Sequence, residues 1–327
     1  MNDTFRGKKI LVTGGLGFIG SNLAARLVGE GAEVTVVDSL IAEYGGNRHN
    51  VVGILDHIQI INCDVREQEA MDQLIVDKDI MFNLAGQTSH MDSMTDPHTD
   101  LDINAKAQLS MLEACRKYNP FIKVVFASTR QIYGKPRSLP VAECHPLNPV
   151  DVNGINKMAG EFYHLLYYNV YGIRATVLRL TNTIGPRMRI KDARQTFLGV
   201  WIRLLLEGKP FEVWDGPQLR DFTFVNDAVD AFLLAARKKE ADGQVYNLGG
   251  PPPVSLKVLA DMLVHVHEGG SYEVRTYPKD RKKIDIGDYY ADYSKISRDL
   301  GWSHKTNLVD ALAQTLNYYR DHLSSYK

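Results

Sequence analysis

A lysine and an asparagine four positions apart are the first residues whose types and spacing could serve chemistry. They lie in VDVNGINKMAGE, residues 150–161, which has the pattern of a helix start. At this spacing the side chains of Asn153 and Lys157 share one face of a helix. The lysine brings a cation, whereas the asparagine amide donates and accepts hydrogen bonds but cannot take up a proton. If this face performs acid–base chemistry, its proton acceptor must come from elsewhere.

A second motif, TGGLGFIG at residues 13–20, joins an apolar strand to a helix. Its glycines allow a tight turn and a close backbone approach to a pyrophosphate, which the helix N-terminus also attracts. Asp38 ends the next strand, where a carboxylate can accept both ribose hydroxyls and would repel a 2′-phosphate. The pattern predicts a dinucleotide site that prefers NAD to NADP. Its expected contacts in this motif are Gly14, Gly17, Phe18, Ile19 and Gly20.

Short apolar runs alternate with helical patterns through the first half of the chain, and this alternation implies βαβ units around a parallel sheet. We therefore predict an α/β fold, a Rossmann-type doubly wound parallel sheet with a smaller mixed α/β C-terminal lobe. The expected NAD-binding domain comprises residues 1–180 plus about 222–250, and the substrate lobe about 181–221 and 251–327. The predicted strands are KKILVTG, AEVTVVD, IQIINCD, IMFNLAG, KVVFAST and RATVLRL, and the main helices lie near 67–76, 101–118 and 152–171.

Composition excludes several classes of function. The formal net charge of the 327 residues is −1, so neither a nucleic acid nor an anionic membrane is an expected partner. The three cysteines are widely spaced and fit neither a disulfide framework nor a zinc site, which suits a reducing cytoplasm. His265 and His267 lack a third ligand nearby, so no metal site is expected. No apolar run is long enough for a spanning helix.

Three further motifs, with the glycine spacing, carry a resemblance to a known family. They are FASTRQIYG (126–134), LRLTNTIGPR (178–187) and LRDFTFVNDA (219–228). With them the chain resembles the extended short-chain dehydrogenase/reductase family, and within it the nucleotide-sugar epimerases and dehydratases. The resemblance implies an NAD cofactor, a nucleotide-sugar substrate and a homodimer formed through the helices near 101–118 and 152–171.

The resemblance also assigns catalytic positions, and one of them departs from the family pattern. Thr129 matches the Ser/Thr that contacts the reacting sugar oxygen, and Lys157 matches the lysine that holds the nicotinamide ribose. Asn153 stands where the family has its catalytic tyrosine. Another group must then take the proton, and the candidates are Gln131, Tyr133, Lys157 and, as the leading one, His90 in the loop AGQTSHMD.

The remaining assignments concern binding, and they too rest on the resemblance. The additional cofactor contacts are expected from residues near the third and fourth strand ends, namely Asp64, Val65, Leu84, Ala85 and Gly86. The expected substrate contacts are Gln87, Arg130, Asn182, Arg220 and Arg281. Of these, Asn182, Arg220 and Arg281 would face the diphosphate or its neighbouring groups.

The residues after Thr129 favour one reaction over another. Dehydratases and decarboxylating relatives carry a carboxylate there, whereas this chain has Arg130 and Gln131. Elimination needs acid–base help, while epimerisation needs mainly orientation and the cofactor. We therefore predict a nucleotide-sugar epimerase, with 4-epimerisation of a UDP-sugar as the leading reaction. A nucleotide-sugar dehydratase, a CDP-sugar 2-epimerase and, because the tyrosine is missing, a non-catalytic NAD-binding protein remain alternatives.

Overall fold

The core of the molecule is a parallel sheet of seven strands. The computed structural model describes residues 4–41, 43–250 and 252–327, without the side chains of residues 280 and 281. The strand order is β11-β6-β5-β4-β1-β2-β3. The chain crosses from one half of the sheet to the other between β1 and β4, which is where this fold class binds ligands. The strands are β1 Lys9–Thr13, β2 Glu33–Asp38, β3 Ile58–Asn62, β4 Ile80–Asn83, β5 Lys123–Thr129, β6 Arg174–Leu180 and β11 Val245–Asn247.

Helices cover both faces of this sheet. On one face α1 (Phe18–Gly29) and α8 (Val225–Arg237) bury Leu23 and Phe232 against the strands. On the other face lie α2 (Gln68–Ile75), α5 (Ala107–Tyr118) and α6 (Val152–Tyr171), whose apolar side chains form a second core. Because both faces are covered, the strands are almost continuously apolar. The two short helices α3 (His90–Thr95) and α4 (Pro97–Leu101) come before α5 in the chain. A π-helical turn at Asp102–Lys106 joins α4 to α5.

The C-terminal part contributes short strands and a separate apolar core. This core packs Trp201, Phe211 and Leu316 together. Three two-stranded sheets pair β10 with β7, β12 with β9 and β13 with β8. The strands are β7 Asn182–Ile184, β8 Phe211–Trp214, β9 Leu219–Arg220, β10 Phe222–Phe224, β12 Val254–Ser255 and β13 Tyr272–Arg275; the helices are α7 Phe197–Leu206, α9 Leu256–His267, α10 Lys279–Lys282, α11 Ser294–Leu300 and α12 Leu308–His322.

The predicted α/β architecture is confirmed, and the predicted strands form within three residues of their expected bounds. The segment expected to be helical near 101–118 is helical throughout, but Asp102–Lys106 is π-helical and α5 begins only at Ala107. The proposed division into lobes stays a prediction, and one pairing crosses it, since β10 pairs with β7. In the described part of the chain, no helix is long and apolar enough to cross a membrane.

Candidate functional site

One cavity lies at the carboxyl ends of the central strands, and it brings together nearly all of the predicted site residues. Among the described residues, its lining includes every predicted site residue except Arg220 and two of the candidate proton acceptors, Gln131 and Tyr133. Further lining comes from residues that the sequence analysis did not single out, among them Tyr44, Thr181 and Gln195. Parallel strands direct their following loops to the same edge of a sheet, which explains why segments distant in sequence meet here.

The glycine turn between β1 and α1 forms one wall of this cavity. Gly14 has φ +66°, and a Cβ atom there would lie 2.9 Å from the backbone nitrogen of Ala85. Both the dihedral angle and the close approach therefore require glycine. The next residues, Phe18, Ile19 and Gly20, form the first turn of α1 and also line the cavity. N–H groups of a first helical turn have no intrahelical acceptor, so this wall suits a pyrophosphate.

Asp38 closes the same end of the cavity. Its Oδ2 accepts a hydrogen bond from Leu16 N at 3.0 Å, and its Oδ1 accepts one from Leu40 N at 2.9 Å. Burial raises the pKa of this carboxyl group, and the backbone donors oppose that rise. The two bonds fix the carboxylate, and each oxygen keeps acceptor capacity for a ribose hydroxyl. This geometry fits a nucleoside with free 2′ and 3′ hydroxyl groups.

Lys157 projects from α6 under the loop that follows β4. Its side chain is 7% exposed, and Nζ donates to the Ala127 carbonyl oxygen at 3.3 Å. Burial lowers its pKa to about 8, although the carboxylate of Asp100 acts in the opposite direction. A Cβ atom on Gly86 would lie 2.7 Å from Nζ, so glycine leaves the space that the lysine occupies. The lysine is thus held at the cavity wall with most of its donor capacity unused.

Asn153 belongs to a buried network that the sequence analysis missed. Its Nδ2 donates to the Gln87 carbonyl oxygen at 2.8 Å and to Asp100 Oδ2 at 3.0 Å. Asn156 donates to the other oxygen of Asp100 at 2.8 Å. Asp100 is fully buried, and its charge is balanced by these amides and by the nearby Lys157. In the sequence these residues are only an aspartate in one short helical segment and two asparagines in another. Such a combination is too common to predict a contact.

Thr129 ends β5, and Arg130 directly follows it; both line the cavity. Thr129 accepts a hydrogen bond from Gln131 N at 3.2 Å, which caps the turn Arg130–Tyr133. Arg130 Nη2 donates to Asn182 Oδ1 at 3.1 Å, and its guanidinium lies over the ring of Tyr289. Burial, with repulsion from Arg220, lowers the pKa of Arg130 to about 10. The two predicted substrate contacts Arg130 and Asn182 are therefore neighbours.

His90 lines the cavity from the start of α3, and it faces a second buried carboxylate. Its Nδ1 lies 3.0 Å from Oδ2 of Asp151, whose side chain is fully buried. Asp151 is also the N-cap of α6, where it accepts a hydrogen bond from Gly154 N at 2.6 Å. Asp151 was not predicted, although an Asp directly before a helical pattern was a signal for the cap.

Two predicted residues, Arg220 and Asp64, have surroundings that differ from the simple expectation. Arg220 lies outside the cavity lining and donates to the carbonyl oxygens of Leu219 and Gly287 and to Asp285. The side chain of Arg281 lies outside the described part of the chain. Asp64 lines the cavity, but both of its oxygens accept hydrogen bonds from the Arg66 guanidinium. The predicted roles of all three residues stay predictions.

Comparison with known proteins identifies the class of this site. The model of the NAD dependent epimerase/dehydratase family matches residues 10–249. The chain belongs to this family. A putative UDP-glucose 4-epimerase from Methanocaldococcus jannaschii is 32% identical over 316 residues, which cover 95% of this chain and 98% of the relative. UDP-glucuronic acid decarboxylase 1 from Xenopus tropicalis is 31% identical over 328 residues, which cover 97% and 73% of the two chains.

The chain also has the fold of a solved nucleotide-sugar epimerase structure. The crystal structure of UDP-glucose 4-epimerase from Thermotoga maritima, determined with UDP-glucose, superposes with a TM-score of 0.87 at 30% identity. The alignment covers 96% of this chain and 99% of that chain. The expected resemblance is thereby confirmed, and this epimerase/dehydratase is an enzyme that uses NAD.

The residues of the cavity fit that cofactor. The glycine turn leaves the space that a side chain would fill, and the first turn of α1 directs N–H groups at it. Asp38 would hold the hydroxyls of the adenosine ribose, and Lys157 those of the nicotinamide ribose. Within the described residues, no group of three or more His, Cys, Asp or Glu side chains is placed to hold a metal ion.

Proposed function

We propose that the chain is an epimerase of a nucleotide sugar, with 4-epimerisation of a UDP-sugar as the leading reaction. The observation that carries the proposal is the shared cavity: Thr129 and Lys157 line it together with the glycine turn and Asp38. A sugar placed against Thr129 would thus lie beside the nicotinamide end of the cofactor. NAD, when bound, would supply the hydride acceptor for oxidation of the sugar carbon and the hydride donor for reduction of the keto-sugar on its opposite face.

Three side chains of the site would each have one task in this reaction. The Thr129 hydroxyl would donate a hydrogen bond to the sugar oxygen that becomes a carbonyl. Lys157 would hold the ribose, and its positive charge would favour hydride transfer to the nicotinamide ring. Asn153 would not titrate, because its side chain is an amide. Its Nδ2 already donates to Gln87 and Asp100. Positioning of this kind lowers the barrier by fixing the reacting atoms.

The geometry beside Thr129 argues against elimination of water as the main reaction. Arg130 is a guanidinium, and it hydrogen-bonds Asn182. The Gln131 side chain donates to Asp151 Oδ2 at 3.0 Å. Neither residue can act as the acid or base that the loss of water requires. A dehydratase activity is therefore the weaker of the two catalytic alternatives, and the same argument applies to decarboxylation assisted by a carboxylate at this position.

A non-catalytic NAD-binding role is favoured by one observation. The resemblance places Asn153 where the family has its tyrosine, and its amide forms part of a structural network with Asp100. A protein that only senses the nucleotide would tolerate that replacement. Against this role, binding of NAD alone would not need the Thr129 hydroxyl, whose proposed task is to contact the reacting sugar oxygen. The two readings are separated by turnover and not by binding.

The decisive experiment is an epimerisation assay with purified protein and added NAD. UDP-, CDP-, GDP- and dTDP-sugars are tested one at a time, and the epimers are separated by chromatography. We expect one series to be interconverted, with transient absorbance of reduced nicotinamide in single-turnover experiments. Protein that binds NAD and these nucleotide sugars but yields neither epimer nor reduced cofactor would support the non-catalytic role instead.

Two further properties belong to the same proposal. We expect a homodimer, because α6 exposes a stripe of apolar side chains, Phe162, Leu166 and Val170. We also expect the enzyme to work in the cytoplasm, since Cys63, Cys115 and Cys144 are all free thiols in the structure.

A further inference from the structure

The site needs a proton acceptor, and the residue at the position of the family tyrosine cannot supply one. Asn153 is an amide, and an amide does not take a proton from a sugar hydroxyl. Tyr133 does not line the cavity; its hydroxyl donates to Asn247 and accepts from Arg179, and burial raises its pKa to about 12. Gln131 is not a base. Of the candidates named from the sequence, Lys157 and His90 remain, and both line the cavity.

His90 lies beside a buried carboxylate that is close enough to orient it as a base. Its Nδ1 is closed off from solvent and lies 3.0 Å from Asp151 Oδ2, a distance over which an N–H group donates to a carboxylate once the two groups align. The side chain as a whole is 37% exposed and lines the cavity. With Nδ1 beside Asp151, Nε2 is the ring nitrogen that remains for a substrate. A neutral imidazole with its proton on Nδ1 has a free electron pair on Nε2.

Asp151 is rigidly held and stays ionised. It accepts hydrogen bonds from Gly154 N and from Gln131 Nε2 in addition to facing His90. Burial raises the pKa of this carboxyl group, but His90 and the other donors outweigh burial and hold the pKa below its usual value. A fixed anion at Nδ1 sets the tautomer of the ring and stabilises the imidazolium that forms when Nε2 takes a proton.

The same contacts link His90 to the segments that carry the expected reacting groups. Gln131 is two residues beyond Thr129, and Asp151 is two residues before Asn153. Because Asp151 touches both Gln131 and His90, the histidine is tied to the segments that carry Thr129 and Asn153. Lys157 is a poorer acceptor, since its expected task is to hold the ribose as an ammonium group and it already donates to the Ala127 carbonyl oxygen.

We propose that His90, positioned by Asp151, is the acid–base residue that replaces the family tyrosine, an assignment that rests on the proposed epimerase function. In the oxidation step the sugar O–H bond breaks and its proton goes to His90 Nε2, while the electron pair of the C–H bond leaves as a hydride to NAD. The C–O bond becomes a carbonyl. In the reduction step both transfers reverse on the other face of the sugar, so protons and electrons balance over the cycle.

The first test compares variants of the two residues with a matched control. His90→Asn removes the base, and Asp151→Asn keeps a good helix N-cap but presents an NH2 group to Nδ1, which forces the proton onto Nε2. We expect kcat to fall roughly 100- to 10,000-fold in both variants, while KM and NAD affinity change by less than about threefold. The control is His98→Asn, because His98 is an exposed histidine on α4. It should retain wild-type kcat.

A chemical rescue distinguishes proton transfer from a structural role. In His90→Ala, added imidazole should restore turnover in a saturable way, and it should do nothing in the wild type. His90→Asn or Asp151→Asn with kcat within threefold of wild type would overturn the proposal while leaving the epimerase function intact. A loss of NAD affinity in parallel with kcat, with no rescue by imidazole, would overturn it as well. A wild-type protein that epimerises no sugar in the panel would instead remove the proposed function, and this inference with it.

Discussion

Replacing Lys157 with methionine should make the protein more stable and less active at the same time. Methionine has a similar length and no charge, so it fits the space beside Gly86 without a buried cation. In the wild type, burial lowers the pKa of the lysine from 10.5 to about 8. A functional group that destabilises the fold is a recognised compromise between stability and activity.

The size of the stability effect follows from that pKa. A shift from 10.5 to about 8 corresponds to about 3 kcal/mol against the charged form in the folded protein. The variant should recover up to that amount at neutral pH. The gain will be reduced because Asp100 loses a favourable neighbour, although its two amide donors, Asn153 and Asn156, remain. We expect a rise of a few degrees in Tm.

The stability difference between the variant and the wild type should depend on pH. Below pH 8 the lysine is protonated in the folded and the unfolded protein, so the cost of burying the charge is fully present. Between pH 8 and 10.5 the folded protein releases the proton first, and the wild type gains stability relative to the variant. The difference in Tm between Lys157→Met and wild type should therefore be largest below pH 8 and should decrease as the pH rises toward 10.5.

Thermal unfolding and cofactor titration together check the reasoning. Lys106→Met is the control, because this lysine side chain is 75% exposed and should change neither Tm nor its pH dependence by much. In Lys157→Met, NAD affinity should fall roughly 10- to 100-fold through loss of charge-assisted hydrogen bonds, and turnover should be lost. A variant that is less stable than wild type at pH 7, or that keeps full epimerase activity, would refute the argument.

Three other predictions concern the ribose, the buried network and the subunit contact. Wild-type protein should bind NAD more tightly than NADP, and Asp38→Asn should narrow that preference in a titration of both cofactors; tighter binding of NADP by wild type would contradict it. Asn153→Asp places a second carboxylate against Asp100, 3.0 Å away, so it should lower Tm more than Asn153→Ala, and acidification should reduce the difference. Wild type should scatter light as a dimer at micromolar concentration and Phe162→Glu as a monomer, whereas a monomeric wild type would speak against the interface on α6.

Much of the cofactor half of the site could be predicted from the sequence because its parts are local. The glycine turn joins two consecutive elements, and its constraints are a positive φ at Gly14 and close backbone contacts that any strand–turn–helix of this kind imposes. Asp38 could be placed because it directly ends the next strand. Alternation of apolar strands and helices likewise predicted the parallel sheet, since that pattern depends on burial of both sheet faces.

The polar contacts behind the cavity could not be predicted in this way. Asp100 meets Asn153 across 53 positions of sequence, and Gln131 meets Asp151 across 20. Each contact depends on the packing of helices against one another, such as α4 against α6, and not on a periodic pattern. Arg220 shows the same limit, because its partner Asp285 lies 65 positions away. A side chain's type restricts what it can do, but its charge state and orientation depend on the partners that folding brings within about 3 Å.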